Sequence, residues 1–161
     1  MKKLCFILLC CVMMFSSGCG FKLKGQYYLP ESLKTLHLSS TKKFSPLAKQ
    51  VKLRLSQNQV NLVSSSQKNI AELRILPEEF QRKTLSLFPN GQVAEYELIY
   101  RVQFEVIKAN EEPLEFEFEL SREFQDDPNN SLAKERERQL ILKELRVVAS
   151  DRILAQLMMI Q

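Results

Sequence analysis

The segment Leu87-Phe88-Pro89-Asn90-Gly91-Gln92-Val93-Ala94-Glu95-Tyr96, with the alternating run that follows it to Lys108, limits the fold of this chain more than any other part. Asn-Gly is the strongest short-range hairpin signal, because a two-residue primed turn needs positive φ at both central residues, which Asn tolerates and Gly adopts freely. Beyond it, Tyr96, Leu98, Tyr100, Val102, Phe104 and Val106 occupy every second position, with Glu97, Arg101, Gln103 and Glu105 between them. A period of two over that length is a strand with one buried and one wet face. A hairpin around Asn90 and Gly91 therefore organises the sheet, and both residues are expected at positive φ.

The flanking segments supply the partners. Thr35-Leu36-His37-Leu38-Ser39 alternates as a first strand, with His37 pointing away from the leucine face. Ser45-Pro46 places an N-cap before a proline at the first helical position, and Leu47, Ala48, Val51 and Leu55 then recur at helical spacing to about Gln57. Val60 to Val63 fits either a short strand or a helix exit. A second strand runs from Ile70 through Ala71, Leu73 and Ile75, breaks at Pro77, which cannot donate to a ladder, and resumes from Phe80 to Leu87.

After the turn Ala109 to Pro113, Leu114, Phe116, Phe118 and Leu120 alternate with Glu115, Glu117 and Glu119 as a fourth strand. A five-residue connection sets Val106 beside Phe116, Phe104 beside Phe118 and Glu105 against Glu117. Asn130 or Ser131 caps a long helix, Leu132 to Met159. At 100° per residue, Leu142, Leu145, Ala149, Ile153, Leu157 and Ile160 form one stripe, and Leu140, Val147, Leu154 and Met158 a second stripe roughly opposite. The second stripe is left to meet either the first helix or another protein. The expected fold is α+β: a four-stranded, mainly antiparallel sheet with two α-helices packed on one face.

The first 18 residues are of another kind. Lys2-Lys3 precede an apolar stretch, Leu4 to Phe15, too short to span a membrane and of signal-peptide length, and Ser16, Ser17 and Gly18 lead to Cys19. This resembles the lipobox at which bacterial lipoproteins are cleaved and acylated. The expected division is a lipoprotein signal peptide, 1–18, and a single domain, 19–161. Cleavage there accounts for all four cysteines, since Cys5, Cys10 and Cys11 leave with the signal and Cys19 takes the lipid. No thiol then remains for a disulfide, a metal or a nucleophile. Gly20 stands where many lipoproteins retained in the inner membrane carry aspartate, so the expected address is the outer membrane, on its periplasmic side.

With 161 residues, 45% of them hydrophobic, the chain has room for one real core. Its charge is divided: seven basic residues and no acid lie between Ser32 and Ala71, whereas twelve basic and eighteen acidic residues follow from Glu72 onward. Nucleic acid is not expected of an exported chain with so weak a net charge. For catalysis the sequence offers no histidine pair and no phosphate-cradling glycine loop, and its many glutamates alternate along strands, the signature of a solvated sheet face and not of a paired acid/base site. A non-enzymatic binding or assembly module, without cofactor or metal, is the expectation.

Three stretches carry a family resemblance: Cys19-Gly20-Phe21-x-Leu23, Phe88-x-Asn90-Gly91-Gln92-x-Ala94-Glu95-Tyr96, and Ser131-Leu132-Ala133-Lys134-Glu135. In this order they resemble the LptE family of lipopolysaccharide-assembly lipoproteins. The resemblance implies a lipoprotein that plugs and helps assemble the outer-membrane barrel LptD and binds lipopolysaccharide on its way to the cell surface. Of two basic positions tied to lipopolysaccharide in that family, one corresponds to Lys134, and the other, an arginine in the turn, is Pro89 here. Arg136, Arg82 and Lys83 complete the binding candidates, with Arg138 close by in sequence. Phe88, Asn90, Gly91, Leu140, Val147 and Leu154 are the barrel-contact candidates. The alternative is a free-standing periplasmic lipoprotein with a structural or chaperone role and no barrel partner.

Overall fold

A computed structural model describes residues 27–160. The expected signal peptide, 1–18, and the expected lipidation site Cys19 lie outside the described residues. Six strands and two helices follow one another: β1 (Thr35–Ser40), α1 (Pro46–Gln57), β2 (Asn61–Val63), β3 (Ala71–Ile75), β4 (Glu79–Leu87), β5 (Val93–Ile107), β6 (Leu114–Gln125) and α2 (Ser131–Leu157). The strands form one mixed sheet. β5 is its axis, paired antiparallel to β6 along one edge and to β3 and β4 in succession along the other. β1 lies parallel to β3 and parallel to β2.

The expected four-stranded, mainly antiparallel sheet is thus corrected to six strands of mixed direction, for two reasons. The segment from Ala71 to Leu87 divides at Pro77, and its halves take successive stretches of β5. The chain also returns from α1 to the side of β1 as β2, so both neighbours of β1 run parallel to it. α1 begins where its cap signal placed it, with Ser45 Oγ accepting the Ala48 N–H at 3.1 Å. It ends with Gln59 at φ +60° and the Val60 N–H donated back to Leu55 O at 3.1 Å, which turns the chain at once into β2.

One face of the sheet carries the core. Leu36, Leu73, Ile75, Tyr100, Val102, Phe104, Val106 and Phe118 meet Leu47, Val51 and Leu55 of α1 and Leu142, Leu145, Ala149, Ile153, Leu154 and Leu157 of α2. The other face is a charged lattice. Arg101 reaches Glu119 at 2.8 Å and Glu79 and Glu117 at 3.3 Å, and Arg74 reaches Glu105 at 2.9 Å. The hydrogen bond that Arg101 donates to Glu119 holds its guanidinium above its ordinary pKa.

The β5–β6 register differs from the expected one by two residues. Val106 faces Leu114, Phe104 faces Phe116 and Val102 faces Phe118. Asn110, at φ +61°, makes the turn, and the ladder stops at Leu114 because Pro113 has no N–H to extend it. A shift of two keeps every side chain on its predicted face. Phe104 and Phe116 stack at 4.9 Å between centroids. Glu105 now faces Glu115 instead of Glu117, and that like-charge pair is relieved by Arg74, while Gln103 donates to Glu117 at 2.9 Å.

The two stripes of α2 have different fates. The first is buried from Leu142 to Ile160. The second is split, because α1 spans about 18 Å and α2 about 40 Å, so α1 covers only the C-terminal half of α2. There Leu154 is 0% exposed and Arg54 of α1 pairs with Asp151 at 2.8 Å. Leu140, beyond the reach of α1, is 61% exposed, and Met158, just past the last residue of α2, is 37% exposed. Leu154→Ala is accordingly expected to cost about 2–5 kcal/mol, and Leu140→Ala under about 0.5 kcal/mol. Denaturant midpoints of the two variants check this, and equal losses would contradict the division.

Candidate functional site

At the end of the sheet where β4 turns into β5, the Asn-Gly segment does not form the expected two-residue primed turn. Gly91 has φ +82°, but Asn90 is not at positive φ. The reason is Pro89, whose ring fixes a negative φ and favours the second position of an ordinary turn. The turn is therefore centred on Pro89 and Asn90, closed by the Gly91 N–H donating to Phe88 O at 2.9 Å, and Gly91 follows in the left-handed region. The Phe88 N–H donates to Gln92 O at 2.7 Å, and Asn90 Oδ1 accepts the Gln92 N–H at 3.1 Å. The result is a five-residue loop with bulges in β4 near Ser86. An added Cβ at Gly91 would meet nothing within 4 Å, so only φ restricts that position.

The loop between β6 and α2 comes to the same end. Phe88, Pro89, Asn90 and Gln92 line a shallow groove with Asp126, Asp127, Pro128 and Asn129. Asp126 N–H donates to Ala94 O at 2.9 Å and ties this loop to β5. Asp127 accepts from the Asn130 side chain at 2.6 Å and from the Asn129 N–H at 2.9 Å. Those bonds, Asn130 first, hold its carboxyl below the ordinary range, with the Lys134 charge adding to them. Leu87 (59% exposed) and Leu132 (66% exposed) stand beside the groove's two banks in sequence, and Phe88, in the groove itself, is also exposed.

Lys134 is the fourth residue of α2, its ammonium 5.4 Å from the Phe124 ring centroid and 2.9 Å from Glu137. Arg82 projects from β4 on the same face of the sheet, 5.5 Å over Tyr96, which pairs with Phe124 across β5 and β6. Arg138 binds Glu135 at 2.6 Å and, chiefly through that bond, holds the Glu135 carboxyl below its ordinary range, with Arg82 near enough to contribute. Lys134 and Arg82 thus lie over an aromatic floor of Phe124 and Tyr96, and Glu135, which Arg138 binds and Arg82 also acts on, links the third cation to them. Arg136 is exposed on the same helix.

Lys83 does not join them. Alternation sends it to the opposite face, where it pairs with Glu97 at 3.6 Å. Of the barrel-contact candidates, Phe88, Asn90, Gly91 and Leu140 are exposed and Val147 half-buried, whereas Leu154 is enclosed by the core and presents no surface. Sequence reasoning missed Phe124, because Arg122 interrupts the apolar alternation of β6 and the strand was ended at Leu120. The Tyr96 to Phe124 pairing is the signal that extends it.

Among the described residues there is no cluster of His, Cys, Asp or Glu suited to a metal ion, and no helix is long and apolar enough to cross a membrane. What the fold displays is a binding or assembly module: a two-helix, six-stranded α+β domain with cations and open apolar side chains gathered at one end. Residues 33–157 match the family model described as LptE, lipopolysaccharide-assembly, and the chain belongs to that family. It is 33% identical over 153 residues to the LPS-assembly lipoprotein LptE of Yersinia pestis (strain Pestoides F), which covers 94% of this chain and 74% of that one. Its fold is similar to that of rare lipoprotein B from Shewanella oneidensis, with TM-score 0.70 and 41% identity over 76% of this chain and 92% of the other. Lipoprotein B from Nitrosomonas europaea matches with TM-score 0.64 and 26% identity over 86% and 90% of the two chains.

Proposed function

We infer that this chain is a non-enzymatic lipoprotein of lipopolysaccharide assembly. It is anchored through Cys19 to the periplasmic side of the outer membrane, seats in and helps assemble the LptD barrel, and binds lipopolysaccharide in transit. Family membership across 33–157 is the observation that carries the reading. The geometry supports it in two ways. The loop at Phe88 and the N-terminal half of α2 expose Leu87, Phe88, Leu132 and Leu140 at one end of the domain, surface that a partner would cover. Beside it, Lys134, Arg138 and Arg82 offer cations to a phosphorylated ligand, and charge-assisted hydrogen bonds to phosphate belong to the stronger class. That exposed end also weighs against the free-standing alternative, which would need no such surface.

The test is purification of the tagged chain from outer membranes. A large barrel is expected to accompany it, and its absence would overturn the partner reading. Gly91→Val forces a β-branched residue to φ +82°, a strain of about 1–3 kcal/mol, and is expected to reduce barrel recovery more than Ser65→Val, in the Ser64–Ser66 segment. Cys19→Ser separates the anchor from the fold: membrane association without a barrel should be lost while the domain remains folded.

A further inference from the structure

The reading above uses one end of the domain and leaves unexplained the segment that is basic without an acid, Ser32 to Ala71. Four of its six lysines gather in one place. Lys42, Lys43, Lys49 and Lys52 line one open groove between the end of β1 and α1, with Leu38 and the ring of Phe44 as its apolar part. Phe44 is 81% exposed, among the most open large apolar side chains described, and Lys43 lies 5.6 Å from its ring centroid. No acid lines this groove. Two carboxylates bond groove residues, Glu72 to Ser39 and Glu78 to Ser45, and both are matched by cations, Glu72 by Arg74 and Glu78 by Arg146.

We propose that this groove docks the domain onto an anionic phospholipid surface, the lysines meeting headgroup phosphates and Phe44 entering the interface. The proposal rests on Cys19 being the lipid anchor, and the length of chain to that residue supports it. The Tyr27 N–H donates to Asn58 Oδ1 at 2.7 Å, which pins the start of the described chain to the C-terminal end of α1. Cys19 is eight residues earlier, a reach of at most about 29 Å. α1 is about 18 Å long, so a membrane that holds the anchor is within range of the whole groove. An exposed aromatic beside clustered lysines suits an interface that is apolar on one side and anionic on the other. The weak net charge of the whole chain does not oppose this, since screening confines the interaction to the nearest groups.

The chain contains no tryptophan, so Phe44→Trp introduces a single reporter at the groove. The acylated chain carrying it is placed in vesicles of phosphatidylcholine alone, or with phosphatidylglycerol, and emission and quenching by brominated lipid are read. A blue shift and quenching are expected only with phosphatidylglycerol. Reversing two charges with Lys49→Glu and Lys52→Glu is expected to lower the docked fraction relative to the undocked by at least about tenfold, with the circular dichroism spectrum unchanged. Water-like emission in both vesicle types would overturn the proposal, as would a shift indifferent to the double reversal. A shift that appears only when lipopolysaccharide is added to neutral vesicles would overturn it too, and would give the groove to that ligand. Co-sedimentation with neutral vesicles reads the anchor alone, so a failure at Cys19 is told apart from a failure of the groove.

Discussion

Glu78→Ala is expected to lower the stability of the folded chain by about 3 kcal/mol, seen as a lower denaturant midpoint with an unchanged slope. Glu78 follows Pro77 in the break between β3 and β4, and that break lets one carboxylate serve both helices. Its Oε1 accepts the Leu47 N–H at 2.7 Å, one of the donors left free at the start of α1, while Oε2 accepts from Arg146 Nε of α2 at 2.9 Å. The Glu78 side chain is only 9% exposed. Arg146 in turn lies 5.2 Å over Phe80, which stacks at 4.4 Å on the buried Tyr100. Burial, and after it the Glu78 carboxylate, push the Tyr100 phenol above its ordinary range, so it stays neutral wherever the domain is folded. Removing Glu78 would strand the Arg146 guanidinium and a helix-terminal N–H together. Glu78→Gln keeps an acceptor for Leu47 and should lose less. Glu79→Ala, next in sequence but 51% exposed, should change stability by under about 0.5 kcal/mol. If Glu78→Ala behaved like Glu79→Ala, the carboxylate would not be the joint between sheet and helices.

That joint was invisible in the sequence, and the reason is general to this chain. Period-two and period-3.6 patterns specify which face a residue takes, so β1, α1, β5, β6 and the first stripe of α2 were all legible. Patterns do not specify what happens where they stop. Pro77 marked a break, but nothing in the pattern showed that the two halves would line one edge of β5 or that Glu78 would be turned inward. At the Asn-Gly segment the preceding proline decided between two turn chemistries that the dipeptide alone left in favour of the primed form. The β5–β6 register slipped by two because the pattern repeats every two residues and the turn at Asn110 sets the phase. Alternation did settle part of the candidate site: Arg82 and Lys83 are adjacent in sequence and must point to opposite faces. Whether the second stripe of α2 was core or surface depended on the length of α1, a property of another segment.

The division of Arg82 from Lys83 sharpens the expectation for ligand binding. Lys134→Asp is expected to weaken lipopolysaccharide binding by about tenfold or more, the worth of one charge-assisted hydrogen bond to phosphate, and the loss should shrink as salt rises. The fold should tolerate the change. Lys134 makes a partly solvated pair with Glu137 and a cation–π contact with Phe124, and an acid early in α2 suits the helix dipole. Arg82→Asp removes a cation from the same face of the sheet and is expected to act in the same direction. Lys83→Asp, on the charged lattice across the sheet, should leave binding nearly unchanged. The family resemblance implies a second cation at the position of Pro89, so Lys134 and Arg82 are expected to supply what that residue would have given, and the single loss should be felt in full. Binding of purified variants to lipopolysaccharide, at low and high salt, reads all three. Equal losses at Lys134 and Lys83 would mean a diffuse attraction rather than a site. Unchanged binding in Lys134→Asp, with loss in the Lys49→Glu and Lys52→Glu double reversal, would move the site from the start of α2 to the groove beside α1.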